Sequence, residues 1–364
     1  MIIFTSYKGL LRKFYTILSR VLLSIILIVI ILYGILHISS VQTWLVKKVA
    51  GNLSEKLHTR VTVKKVDFRF FNKILLEGLM IEDRKMDTLL YAGVAKANLN
   101  DWFFFRDKIS LENVGLDDAI VNMKRTDSVW NYQFLLDYFA SPKKKKTGGT
   151  DVIIDLRELH FNKIKFNKID GWIGQDMIVN LSRMDVVMNV FDILHKKIFI
   201  KNVSLTQPFF SQRDYKGNRP DKPNLQQVIE KIPVIGAFKW NDSGWEIRLD
   251  KLDMHDGAFR NDKYTNELPY TDRFDGQHLF FTGLNGTMKN LLFLHDTLSV
   301  NVSMSAAERS GLNIKKLESN MKFTPELMEF NNLDLITNRS RLRDYFAMKY
   351  ENFGEDFSSF IHSV

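Results

Sequence analysis

One pattern keeps returning in this chain, and it limits what the chain can fold into. Residues 247–259 read IRLDKLDMHDGAF, with apolar residues at the first, third, sixth, eighth and thirteenth places. The same spacing appears in ISLENVGLDDAIV (109–121), IDLRELHFNKIKF (154–166) and IFIKNVSLTQPFF (198–210). ILLEGLMIEDRKM (74–86) is a looser copy, and MEFNNLDLITNRS (328–340) keeps the first four places and carries Ser340 at the fifth. Apolar residues two apart are the mark of a strand with one buried face, so each copy predicts a strand. Alternation continues between the copies, as in RVTVKKVDFRF (60–70) and at Val179, Leu181, Met321 and Phe323. Successive copies begin 35, 45, 44, 49 and 81 residues apart, the period of a repeating unit of several strands, with room for one degenerate copy in the last gap.

Inside each copy lies an odd step. The two apolar pairs are separated by three residues rather than two, across polar residues such as Glu112-Asn113, Lys201-Asn202 and Asp250-Lys251. In a regular strand that step moves the second pair to the other face. Either both faces of the sheet are covered, or a β-bulge adds a residue, restores the face and bends the strand. Bulges repeated in every copy would give a long curved sheet with one apolar side. Such a sheet either closes into a packed β-core or leaves an apolar trough. The trough would be lined by Ile109, Leu111, Val114 and Leu116, by Ile154, Leu156, Leu159 and Phe161, by Ile198, Ile200, Val203 and Leu205, and by Ile247, Leu249, Leu252 and Met254. The fold class expected is mostly β, a repeat-built sheet over residues 58–364.

The N-terminal part reads differently. VLLSIILIVIILYGILHI (21–38) spans roughly 27 Å as a helix, enough for a bilayer core. Its apolar residues are Val21, Leu22, Leu23, Ile25, Ile26, Leu27, Ile28, Val29, Ile30, Ile31, Leu32, Ile35, Leu36 and Ile38. A cleaved signal peptide competes with a retained anchor, but the run is long for one and no A-x-A-like site follows it. Lys8, Arg12, Lys13 and Arg20 precede the run in segment 1–20, whereas only Lys47 and Lys48 follow closely. That asymmetry places the N-terminus in the cytoplasm and the bulk across the membrane. Val41, Leu45, Val49, Leu53 and Leu57 then form the stripe of one amphipathic helix (39–57), with Trp44 suited to a membrane interface and the stripe expected to cap the first strand. Residues 126–139 and 225–232 read as short helices, Trp102–Phe105 as a small helix or turn, and SPKKKKTGG (141–149) as an exposed linker.

Charge and motifs exclude several functions. The net charge is +9, but the four basic residues before the apolar run and Lys143–Lys146 account for nearly all of it, leaving no broad basic face for nucleic acid. There is no cysteine, so disulfides and thiolate metal sites are excluded. No nucleophile elbow, phosphate loop or H-x-x-x-H is present. Asp253, His255 and Asp256, like Asp117 and Asp118, read as solvated turns rather than metal ligands. Neither catalysis, a metal nor a cofactor is expected.

The order of elements resembles a known family. An anchor is followed by VQTWLVKKVAGNLSEKLHTRVTVKKVDFRF, the DTLLYA strand (87–92), DKISLENVGLDDAIVNMKR, DSVWNYQFLLDYF and SAAERSGLNIKKLESNMKF. This resembles the N-terminal portion of the AsmA-like family, in particular TamB-type proteins of the translocation and assembly module, over roughly residues 20–350. The resemblance implies an inner-membrane, single-pass protein with a long taco-like β-sheet in the periplasm and a hydrophobic groove carrying phospholipids toward the outer membrane. It also implies a barrel partner of the TamA type, met through a C-terminal domain. The chain ends at FSSFIHSV inside a repeat, so that domain is expected outside it. A second reading is a scaffold or chaperone for outer-membrane β-barrel assembly, pairing client strands at its sheet edges. A structural spacer between membranes is a third.

Overall fold

The computed structural model of the chain describes residues 23, 24, 27, 31, 34, 38–69, 73–99, 108–140, 151–193, 195–220, 239–263, 270 and 273–349. Of the predicted anchor, Leu23, Leu27, Ile31 and Ile38 are described and exposed; the other apolar residues of the run lie outside the described residues. Among the described residues no helix is long and apolar enough to cross a membrane. The short helix at 225–232, the aromatic turn at 102–105 and the lysine run also lie outside them.

The alternating pattern forms strands almost throughout. Helix α1 (Ser39–Leu57) precedes β1 (Val61–Thr62), β2 (Lys65–Arg69), β3 (Lys73–Glu82), β4 (Thr88–Leu99) and β5 (Lys108–Arg125). Helix α2 (Gln133–Ala140) leads to β6 (Asp151–Asp170), β7 (Gln175–Asp192), β8 (Lys197–Thr206) and β9 (Phe209–Asp214). The last described strands form a meander, β10 (Glu246–Lys263), β11 (His278–Leu294), β12 (Thr297–Glu308), β13 (Asn313–Phe323), β14 (Leu327–Thr337) and β15 (Arg341–Lys349). All fifteen strands belong to one mixed sheet ordered β1-β3-β4-β5-β6-β7-β8-β10-β11-β12-β13-β14-β15. Strand β2 extends the β1 position and β9 extends the β8 position, so there are thirteen strand positions, about 58 Å at ~4.8 Å per neighbour.

Most neighbours are antiparallel, as short turns require. The β5–β6 and β8/β9–β10 pairs are parallel, and each needs a crossover: α2 lies in the first, residues 215–245 make the second. These two parallel steps have a consequence for the repeat. The six copies lie on β3, β5, β6, β8, β10 and β14, and all six run in the same direction. Strand β12, which runs the same way, fills the long gap without the odd step.

Helix α1 closes one edge. Thr43 Oγ1 accepts the Val66 N–H at 3.2 Å, Ser54 Oγ accepts the Val61 N–H at 2.9 Å and donates to the Val61 carbonyl at 3.1 Å. Outward backbone groups of β1 and β2 are thereby satisfied by a helix rather than left as a template for another chain. Ala50 and Leu57 of α1 pack with Val61, Leu89 and Phe134 of α2 in one of the two core clusters. The helix caps the first strand as expected, and the C-terminal part of the predicted stripe, Leu53 and Leu57, packs there, whereas Val49 does not. Val49 is 63% exposed, and the buried side runs through Gln42, Ala50 and Leu57. The four-residue spacing drifts around a helix of 3.6 residues per turn, so Val49 in mid-stripe points away while Leu53 and Leu57 come round to the face that Ser54 shares.

Candidate functional site

The odd step is resolved by pairing against strands that lack it at the same position. Ala97 and Leu99 of regular β4 are two apart and pair with Val114 and Leu111. Val186 and Met188 of β7 pair in the same way with Val203 and Ile200. On the other flank, Val302 of β12 leads through Met288 to Leu252, and Asn290 and Leu291 together oppose Val300, with Leu291 paired to Leu249. Both apolar pairs of a copy therefore stay on one face, and the polar residues between them form bulges.

The result is a set of apolar rows crossing the sheet at right angles to its strands. One runs Val114, Leu159, Val186, Val203, Leu252, Met288, Val302. The next runs Leu116, Phe161, Met184, Leu205, Met254, Gly286, Met304, Leu317, Leu335, Leu342. Ile198, Ile247, Phe293, Leu298, Phe323, Met328 and Met348 make a third, and Ile200 and Leu249 start a fourth that ends on Met321, Phe330 and Phe346. The second core cluster holds Val186, Val203 and Leu249, with Leu159, Met184, Met188, Ile200, Leu205, Leu252 and Leu291 around them. Its members come from consecutive strands of the one sheet.

Two copies are phased differently from their sequence alignment. Ile109 and Leu111 pair with Val152 and Ile154, because β6 carries two extra residues between Ile154 and Glu158 relative to β5. Leu156 falls in that irregular stretch, outside the rows. The copy at 74 is displaced by five residues: Ile74 and Leu76 stand beside Ala97 and Ala95, the neighbours of Val114 and Leu116. The sheet aligns its Gly78 with Asp118.

A second line of bends crosses the sheet at the tenth place of four copies. Asp118, Lys163, Gln207 and Asp256 have φ of 52°, 51°, 48° and 52°, the left-handed region, and Gly78 and Gly283 have 63° and 57°. Gln207 lies in the bend between β8 and β9 but the others are in mid-strand, so the Asp117-Asp118 and Asp253–Asp256 stretches are not the turns that polarity pointed to. A left-handed residue changes the face again by an odd step, which returns the thirteenth place to the apolar side. Regular β12 shows this: Met304, Ala306 and Glu308 stand beside Gly286, Leu284 and Phe281, partners of Met254, Gly257 and Phe259.

That line exposes what pattern reading passed over. Val121, Phe166, Val179, Phe210, Phe259 and Phe281 form a further row. Phe210 and Phe259 stack with centroids 5.8 Å apart at 3° between planes. A cavity of about 350 Å³ opens here, walled by Pro208, Phe210, Met254, Phe259, Phe281, Leu284, Met288, Met304 and Ile314 among others. Its walls are almost wholly apolar. The apolar thirteenth place of four copies, Val121, Phe166, Phe210 and Phe259, was the signal for it.

The opposite face is a polar ladder. Lys96 and Asn162 donate to Asp117 at 2.5 and 2.6 Å, Asn167 donates to Asn122 at 2.9 Å, and Lys316 and Arg341 donate to Asp334 at 3.0 and 2.8 Å. The Arg341 and Lys316 bonds hold the Asp334 carboxyl down to about 2. Asp253 pairs with Lys251 at 2.7 Å and accepts from Thr287 at 3.0 Å, so it is used within the ladder. Among the described residues no group of His, Asp and Glu has the makings of a metal site.

At the end of the apolar face the rows turn charged. Arg125 donates twice to Asp170, at 2.7 and 2.8 Å, and stacks 4.6 Å from the Trp130 ring. Burial pushes the Asp170 carboxyl up, but the Arg125 bonds, the Ile173 N–H and the nearby cations more than offset it and hold the group below the usual aspartate range. Tyr215 donates to Asp176 at 2.8 Å, and burial together with that bond pushes its phenol up to about 12.

No protein-family model matches the chain, and no curated protein does.

Proposed function

We propose that this chain is a membrane-anchored lipid conduit: an inner-membrane protein whose sheet stands in the periplasm and carries phospholipid toward the outer membrane along its apolar face. The observation that supports this most is the continuity of the rows. Apolar residues follow one another from β5 to β15, Gly286 alone without a side chain, and no charged residue stands in the Leu116-to-Leu342 row. Among the described residues no second sheet covers them. An acyl chain lying along such a face gains about 0.8 kcal/mol per buried CH₂, while its headgroup stays in water at the charged rim. Methionine and phenylalanine walls suit a sliding apolar ligand, since they adapt rather than lock. The resemblance to AsmA-like proteins, the retained anchor and the curved groove belong to the same reading.

Photo-crosslinking in cells tests it, with the probe at Phe259 in the cavity wall and a control at Arg260 on the polar face. Phospholipid adducts at Phe259 and none at Arg260 are expected. Protein adducts alone at Phe259 would overturn the conduit.

Strand β15 favours a second reading, the scaffold for outer-membrane proteins. Residues 341–345 are exposed at an edge that no described strand covers, where a client strand could add. Yet Arg341, Arg343 and a left-handed Asp344 at φ 76° blunt this edge. The conduit is the better reading.

A further inference from the structure

The two sides of α1 face different surroundings. Its inner side is spent on the sheet, through Ala50, Leu57 and the Thr43 and Ser54 hydroxyls. Its outer side carries Trp44, 60% exposed, and Val49, 63% exposed, with Ile38 at the N-cap 51% exposed. Lys48 Nζ lies 5.4 Å from the Trp44 ring, and Lys47, Lys48 and Lys56 stand against one acid, Glu55.

We propose that the outward face of α1 is a docking surface for an anionic lipid bilayer, on which the helix lies flat. An indole with an apolar body and a polar N–H is most stable at the membrane–water boundary. Lysines beside it lay their stems along the apolar layer and place their charges among acidic headgroups. Ile38 is extended, at φ −73° and ψ 115°, so α1 starts afresh after it, and on this proposal the helix leaves the membrane normal at that residue. Apolar residues 21–38 end where this surface begins, which supplies the continuity. The inference rests on the anchor reading. Its consequence is that α1, fastened to β1 and β2, seats the first edge of the apolar face at the bilayer surface, where a lipid would enter.

The chain has no cysteine, so a single introduced one reports its own surroundings. Full-length V49C and, as control, S303C on the polar side of β12 are labelled with a nitroxide. Both are reconstituted into vesicles of phosphatidylethanolamine and phosphatidylglycerol. We expect the Val49 label to lose several-fold of its accessibility to a water-soluble nickel chelate and to keep access to oxygen, with the Ser303 label unchanged. Chain that floats with vesicles while both labels meet the chelate equally would overturn the docking surface and leave the anchor standing. A Val49 label shielded from chelate and oxygen alike would mean a protein covers the face, and would overturn it too. Chain that fails to float removes the anchor and this inference together.

Discussion

A carboxylate is tolerated inside a sheet only when its charge is answered on the spot, and Asp170 shows how. It is 1% exposed and bonded twice to Arg125, which lies under the Trp130 ring and remains 18% exposed along its side chain. Removing the acid leaves the guanidinium facing a neutral amide. Asp170→Asn is expected to cost about 3 kcal/mol in urea unfolding near neutral pH, the low end for a broken buried pair because Arg125 still reaches water. The pH dependence follows from direction alone. The folded carboxyl lies below the value of about 3.9 for the unfolded chain, so its contribution is complete above that value and fades as pH falls through the folded one. The gap between wild type and Asp170→Asn should be constant from neutral down to about pH 5 and narrow below about pH 4. A gap that is unchanged in acid would mean the pair contributes little.

At the scale of elements, the strand pattern of the copies was legible because side-chain period and burial are directly coupled in a sheet. Whether the odd step meant bulges or two covered faces was not, since that depends on what the neighbouring strand does. Regular β4 and β12, and β7 as far as Met188, decide it, and nothing in residues 109–121 carries information about Ala97 and Leu99. The left-handed line was hidden for another reason. Asp118, Lys163, Gln207 and Asp256 are chemically mixed, and none is the glycine that normally announces such a φ. Leu156 was assigned to the trough from spacing alone, whereas the two extra residues of β6 remove it from the rows. Exposed Val49 marks the same limit in α1, where a spacing of four keeps Leu53 and Leu57 on the packed face but not the residue between Leu45 and Leu53. The left-handed line can be tested. Lys163→Ile puts a β-branched side chain at φ 51° and should cost about 1–2 kcal/mol, while Lys165→Ile, two residues on at an ordinary exposed site, should stay within about 0.5 kcal/mol of wild type. Equal thermal shifts for the two would show that the bend carries no strain.

For the whole molecule, the difference between a conduit and a binding surface is the difference between elements in series and elements in parallel. Leu116 on β5 and Met254 on β10 occupy the same row, four strand positions and about 19 Å apart. Leu249 would be a poorer choice for a barrier, because it is 7% exposed in the packed cluster and a charge there would unfold its surroundings. Leu116→Glu and Met254→Glu each place a carboxylate on the half-buried face, where it keeps its water and obstructs an acyl chain passing over it. At this separation their effects on stability should add. Their effects on lipid transfer should not. Resistances in series sum, so two equal barriers at most halve the flow left by one. A client-binding surface behaves otherwise: independent contacts add in free energy, so the two losses multiply. Measuring transfer between donor and acceptor vesicles for both single variants and the double separates the cases, with urea unfolding confirming that all three remain folded. A double variant close to the weaker single supports one continuous path. A product of the two losses would mean that lipid or client meets separate sites, and that the rows are a surface rather than a route.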